Sequence, residues 1–260
     1  MWRLPLLLLA APAAAQVRCH LADVRREDGS FHIGPRCEHL LLFGEHLGDA
    51  AVAQLAGALA EARGLALLDL WSNSIGPNGA KALGDALSRN PPVRKLYLNQ
   101  NLLGAEGAEA LARGLRSNTR LDTLWLSGNQ LGDAGAAAVS GVLGRGGGLE
   151  VLDLWDNAIG VEGARRLAGA LLKDVRLRTL ELRGNRLGDE GAAELAALMP
   201  KNRVLSTLDL VGNGITPTGT KAILDGLTVS SARPYLLVFC EGLPHMQWTS
   251  WQAKGKAEAP

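Results

Sequence analysis

Residues 68–87 read Leu-Asp-Leu-Trp-Ser-Asn-Ser-Ile-Gly-Pro-Asn-Gly-Ala-Lys-Ala-Leu-Gly-Asp-Ala-Leu. The frame within them, Leu68-x-Leu70-x-x-Asn73-x-Ile75-Gly76 and then Gly79-Ala80-x-x-Leu83 and Leu87, returns along the chain every 28 residues. Asn73, Asn101, Asn129, Asn157, Asn185 and Asn213 mark it without a slip. A fixed period of this length specifies an array of units, each burying its apolar face against its neighbours. In the first half of a unit, Leu96 and Leu98 alternate with Lys95, Tyr97 and Asn99, the period of a half-buried strand. In the second half, Leu111 and Leu115, like Leu167 and Leu171, stand four apart, which puts them on one helix face. Each unit is therefore a strand, a turn and a helix.

The asparagine closes the turn. Stacking coils buries the backbone groups at the strand end, and a side-chain amide supplies both donors and an acceptor to satisfy them. A ladder is expected in which each amide serves its own turn and the next coil. Gly76, Gly104, Gly132, Gly160 and Gly188 suit a positive φ or a close approach. The Gly-Ala pair opening each helix, such as Gly107-Ala108, is expected to let the helix lie close to the strand. Counting 28 back from Asn73 gives Glu45, with Leu40, Leu42, Leu47 and Gly48 in register. Counting 28 forward from Asn213 gives Glu241, with Leu236, Val238 and Leu243 in register. Carboxylates at these two ends fit turns that water reaches.

The frame resembles the ribonuclease-inhibitor-like class of leucine-rich repeats, shared by ribonuclease inhibitor, the Ran GTPase-activating protein and the repeats of NOD-like receptors. The resemblance covers residues 37–243. It implies an α/β leucine-rich repeat solenoid, a horseshoe with a parallel β-sheet on the concave face and α-helices on the convex face. The alternating cysteine of ribonuclease inhibitor is absent, and every full unit has one length, which is closer to the other two relatives. The motif specifies a scaffold and leaves the ligand open.

The rest of the chain bounds location and chemistry. Arg3, the apolar run Leu4–Ala10 and the small residues Ala11–Ala15 have the form of a signal peptide at residues 1–15, so a secreted or lumenal product is expected. The run is too short for a membrane span, which needs about 20 apolar residues. Residues 16–36 are expected to cap the first coil and residues 244–260 to form a polar tail, in which Trp248-Thr249-Ser250-Trp251 resembles a C-mannosylation acceptor. In an oxidising compartment Cys19 and Cys37 are expected to form a disulfide, leaving Cys240 as the odd thiol. His20, His32, His39 and His46 lie near these cysteines, but their spacing matches no zinc pattern and no metal or cofactor is expected. No Ser/His/Asp or Cys/His arrangement points to catalysis. With a net charge of +1, no basic excess suggests nucleic acid.

Function is expected where the units differ. The x between the two strand leucines is Leu41, Asp69, Tyr97, Trp125, Asp153, Glu181, Asp209 and Leu237. The x after the second leucine is Phe43, Trp71, Asn99, Ser127, Trp155, Arg183, Val211 and Phe239. Aromatics make up only 4% of the chain, yet three of the six tryptophans fall in these columns. The leucines fill the core, so packing there does not account for the concentration. Large rings on a rigid surface suit a protein partner. The residues expected to contact it are Phe43, Asp69, Trp71, Tyr97, Trp125, Asp153, Trp155, Glu181, Arg183 and Asp209, and the acids favour a partner with basic groups. Carbohydrate is an alternative ligand, and a GTPase-activating or other intracellular regulatory role is an alternative implied by the Ran relative.

Overall fold

The computed structural model describes residues 16–144, 148–228 and 236–240. The signal peptide, Glu241, Leu243, the tail and the Trp248–Trp251 motif lie outside them. Among the described residues, nine strands form one parallel sheet in sequence order: β1 (Arg18–Cys19), β2 (His39–Leu41), β3 (Leu67–Asp69), β4 (Lys95–Tyr97), β5 (Thr123–Trp125), β6 (Val151–Asp153), β7 (Thr179–Glu181), β8 (Thr207–Asp209) and β9 (Leu237–Phe239). The helices are α1 (Leu21–Val24), α2 (Gly48–Ala58), α3 (Pro77–Leu87), α4 (Gly104–Leu115), α5 (Gly132–Ser140), α6 (Val161–Leu171), α7 (Gly188–Ala196) and α8 (Pro217–Thr228). None is long and apolar enough to cross a membrane.

One strand and one helix per coil set the shape. Strands pair about 4.8 Å apart, whereas helices pack about 8–10 Å apart, so the stack bends with the sheet on the inside. The leucines fill the space between the layers: Leu68, Leu70, Leu96, Leu98, Leu124 and Leu126 have no exposed surface. Each such burial contributes roughly 1.5–3 kcal/mol. At the N-terminus, β1 pairs with β2, so this segment adds a strand to the sheet ahead of the first repeat. Cys19 and Cys37 stand with their Cα atoms 5.9 Å apart, which places the end of this added strand against the start of the repeats.

The asparagine ladder is present, but it runs toward the preceding coil rather than the next. Asn101 Nδ2 donates to the carbonyls of Leu98 (2.8 Å) and Asn99 (3.2 Å) in its own turn, and to Leu70 (3.0 Å) one coil back. Its Oδ1 accepts from the backbone N–H groups of Asn73 (3.0 Å) and Ile75 (2.9 Å), also one coil back. Glu45, at the equivalent place in the first unit, is exposed.

The glycines differ in their reasons. Gly104, Gly132 and Gly188 have φ near +58°, with values of 57°, 59° and 58°. Gly76 and Gly160 do not: their backbone is extended, and the left-handed residues are Ser74 and Ala158 instead. A Cβ on Gly76 or Gly160 would press on the Asp49 or Asp133 carboxylate of the preceding coil. That carboxylate caps the helix that follows. Asp133 Oδ1 accepts from Gly160 N–H (2.6 Å) and Gly163 N–H (2.9 Å), Asp49 Oδ1 from Gly76 N–H (2.6 Å), and Asp189 from Thr216 N–H (2.7 Å). The glycine of the Gly-Ala pair also has a different neighbour from the one expected. A Cβ on Gly107 would meet Leu103 and Ala80, so it brings successive helices together rather than helix and strand.

At the C-terminal end the register slips. Thr207, Leu208 and Asp209 pair with Leu237, Val238 and Phe239, a step of 30 residues instead of 28. Val238 and Cys240 therefore take the core positions assigned above to Leu236 and Val238, and Phe239 moves into the column of Asp209. Because strand side chains alternate with period two, a shift of two leaves every residue on its own face, and the apolar pattern fits both registers.

Candidate functional site

Parallel pairing in strict register turns each sequence column into a row across the sheet. Asp69 pairs with Tyr97, Tyr97 with Trp125, Trp125 with Asp153, Asp153 with Glu181, and Glu181 with Asp209. The residues two further along, Trp71, Asn99, Ser127, Trp155 and Arg183, form a second row beside the first.

The aromatics do not form one continuous patch. Phe43 meets Trp71 edge to face, with ring centroids 5.4 Å apart. Tyr97 and Trp125 stack with centroids 4.1 Å apart and an interplanar angle of 15°. Trp155 extends toward β7, where Gly184 offers it a surface without a Cβ and the Arg183 guanidinium lies 6.0 Å from its ring centroid. Phe43, Trp71 and Trp155 remain 59%, 39% and 50% exposed. Between the two exposed indoles, in the same row, Asn99 and Ser127 are buried, at 6% and 4%.

The acids serve the fold as well as the face. The N–H of Trp71 donates to Asp69 Oδ1 (3.0 Å), that of Trp155 to Asp153 Oδ1 (2.8 Å), and that of Val211 to Asp209 Oδ1 (2.9 Å). An Asp two residues before Trp71 and before Trp155 thus fixes the strand end that carries the ring. This pairing recurs as Asp69-x-Trp71 and Asp153-x-Trp155, a signal legible in the sequence. Desolvation is the first cause raising the pKa of both Asp69 and Asp153, each opposed by its hydrogen bond from the indole residue's N–H. Ser127 also hydrogen-bonds to Asp153, which works in the same opposing direction. Glu181 is pushed further, from 4.5 to about 7, by desolvation first and then by the charges of Asp209 and Asp153, against the pull of Arg183. The Tyr97 hydroxyl is raised by burial and by Asp69 and Asp122. Among the described residues, no three His, Cys, Asp or Glu side chains gather as metal ligands.

The two sequence columns thus lie as two rows on one face of the sheet, with all ten singled-out residues, from Phe43 to Asp209, in them. Comparison with known proteins agrees on the architecture. The leucine-rich repeat family matches residues 89–112, 117–140, 149–168, 177–196 and 201–224. The chain is a leucine-rich repeat protein. No curated protein matches it. Two solved structures are similar: leiomodin-1 actin-binding site 2, at 19% identity and TM-score 0.48 over 59% of this chain and 88% of that one; and the tropomodulin C-terminal domain of Caenorhabditis elegans, at 14% identity and TM-score 0.48 over 58% and 92%. At these values the likeness carries no argument about this chain.

Proposed function

We propose that the chain is a non-catalytic recognition module that binds a protein on the inner face of its sheet, in a secretory compartment. The observation that carries this reading is the pair of exposed indoles, Trp71 and Trp155, held on the ends of rigid strands with the Tyr97–Trp125 stack between them. Large rings that are already ordered lose little entropy on binding and exclude water over a wide area, and Trp and Tyr dominate binding hot spots. The leader-like N-terminus and the Cys19–Cys37 pair support the compartment and speak against an intracellular GTPase-activating role. A sugar ligand would also stack on these rings.

The test is capture of cross-linked partners by the full chain, identified by mass spectrometry, against a Trp71→Ala, Trp155→Ala double variant. Losing two hot-spot rings of about 2 kcal/mol each weakens binding by roughly 700-fold. A variant that folds normally and retains the same partner at the same affinity moves the site away from this face.

A further inference from the structure

The last helix of the stack ends on an apolar face. In the inner coils, the helix position that faces the next helix is small: Ala56, Gly84, Ala112, Ser140, Ala168 and Ala196. The spacing requires it, since a Cβ on Gly84 would meet the Ala110 carbonyl of α4 at 2.7 Å. In α8 the same position holds Leu224. Leu224 and Leu227 are both partly exposed, although Leu59, Leu87, Leu115, Leu143, Leu171 and Met199, the equivalents of Leu227, are buried. Among the described helices α8 packs against α7, and the side that would receive a further coil carries Leu224, with Leu227 beside it. An apolar end of this kind needs a cap with a polar outer surface.

The sequence beyond β9 keeps the count. Leu243, Trp248 and Trp251 stand 28 residues past Ile215, Thr220 and Ile223. In the coil of α3 the same columns hold Ile75, Ala80 and Leu83, none with any exposed surface. The slip at β9 is taken up in the turn: Leu243 comes three residues after Cys240, whereas Ile215 comes five after Leu210. We propose that residues 241–260 cover the outer face of α8, with Leu243, Trp248 and Trp251 laid against Leu224 and Leu227. Residues three apart share one face of a helix, so the two indoles act together. Around them Gln247, Thr249, Ser250 and Gln252 are polar, as the outer surface of a cap requires. The sizes are complementary. Leu224 holds the covering segment farther from α8 than one inner helix stands from the next, and indoles, in columns filled elsewhere by small residues and leucine, span the wider gap. The segment is then a cap on the stack, neither a free tail nor one more regular coil. It closes the C-terminal end of the solenoid and leaves the inner sheet face as the surface open to a partner.

The test compares the full chain with a Trp248→Ser, Trp251→Ser variant and a Trp248→Phe, Trp251→Phe variant, by hydrogen exchange read by mass spectrometry. In the serine variant, exchange in α8 is expected to quicken about tenfold or more and the melting temperature to fall by about 5 °C or more, while α2 to α5 exchange as in wild type. The phenylalanine variant keeps most of the protection, because an apolar ring still covers the leucines. A second readout does not depend on the variants folding: benzoylphenylalanine placed at position 224 of the otherwise wild-type chain is expected, on irradiation, to link within the chain to residues 241–260. Unchanged exchange and melting in the serine variant, or a link at position 224 that goes elsewhere, would overturn the proposal. A link between chains, or a dimer that Leu224→Arg makes monomeric, gives the face to a second copy and overturns it equally.

Discussion

Replacing Asn101 by alanine removes a side chain that is 2% exposed and makes five hydrogen bonds. Two of its partners, the N–H groups of Asn73 and Ile75, lose the acceptor that Oδ1 provides. Both residues are fully buried, so water does not take its place without rearrangement. An orphaned buried donor costs about 1–3 kcal/mol. Two of them, softened by local relaxation, give about 2–4 kcal/mol; the three carbonyls lose less because each has a second lone pair. For a chain of this size, 1 kcal/mol moves the melting temperature by about 2–4 °C, so Asn101→Ala falls by roughly 4–16 °C. Asn129→Ala is expected to cost less, about 1–2 kcal/mol, because Asn129 Oδ1 accepts from Leu103 N–H at a long 3.4 Å. The difference follows the turn type: the Ile75 coil presents two well-placed N–H groups to Asn101, and the Ile159 coil does the same for Asn185. Urea unfolding followed by far-UV circular dichroism on the three proteins checks the order. Curves for Asn101→Ala that overlay wild type, or a larger loss for Asn129→Ala, would refute the ladder as the source of turn stability.

Two further outcomes are expected. Asp133→Ala removes the cap from Gly160 and Gly163 at the start of α6; it should cost about 1–2 kcal/mol, and amide exchange should quicken in the first turn of α6, one coil away from the mutation. Glu181→Gln reports the raised carboxyl. The folded state holds the Glu181 proton more tightly than the unfolded chain, so stability from this group is present below about pH 4.5 and is lost as pH rises toward about 7. Thermal melts should then show wild type losing more stability than Glu181→Gln between about pH 5 and pH 8, and parallel pH profiles would contradict the assignment.

How much of this was legible follows from what each feature depends on. The turn amides were, because each is dictated by its own coil and recurs with it. The inter-coil caps were also within reach: Leu-Gly-Asp at residues 47–49, 131–133 and 187–189 is followed 28 residues later by Ile75, Ile159 and Ile215, whereas Leu103-Gly104-Ala105 is followed by Leu131. That correlation spans two units and is invisible when the units are averaged into one frame. The slip at β9 was not legible, since a two-residue step preserves the alternation by which strands are read.

For the face, the sequence by itself determined which residues share a row, because parallel strands in constant register carry position 97 onto position 125 and position 153 onto position 181. Burial and pairing within the rows belong to the tertiary structure alone. Tyr97 leans onto Trp125 and Trp155 onto Gly184, Asn99 is buried, and Glu181 meets two carboxylates and one guanidinium. Each of these is a sum over side chains 28 or more residues apart. Ring orientation, desolvation and charge at a given position depend on what its neighbours on other coils happen to be, and no repeat frame encodes that.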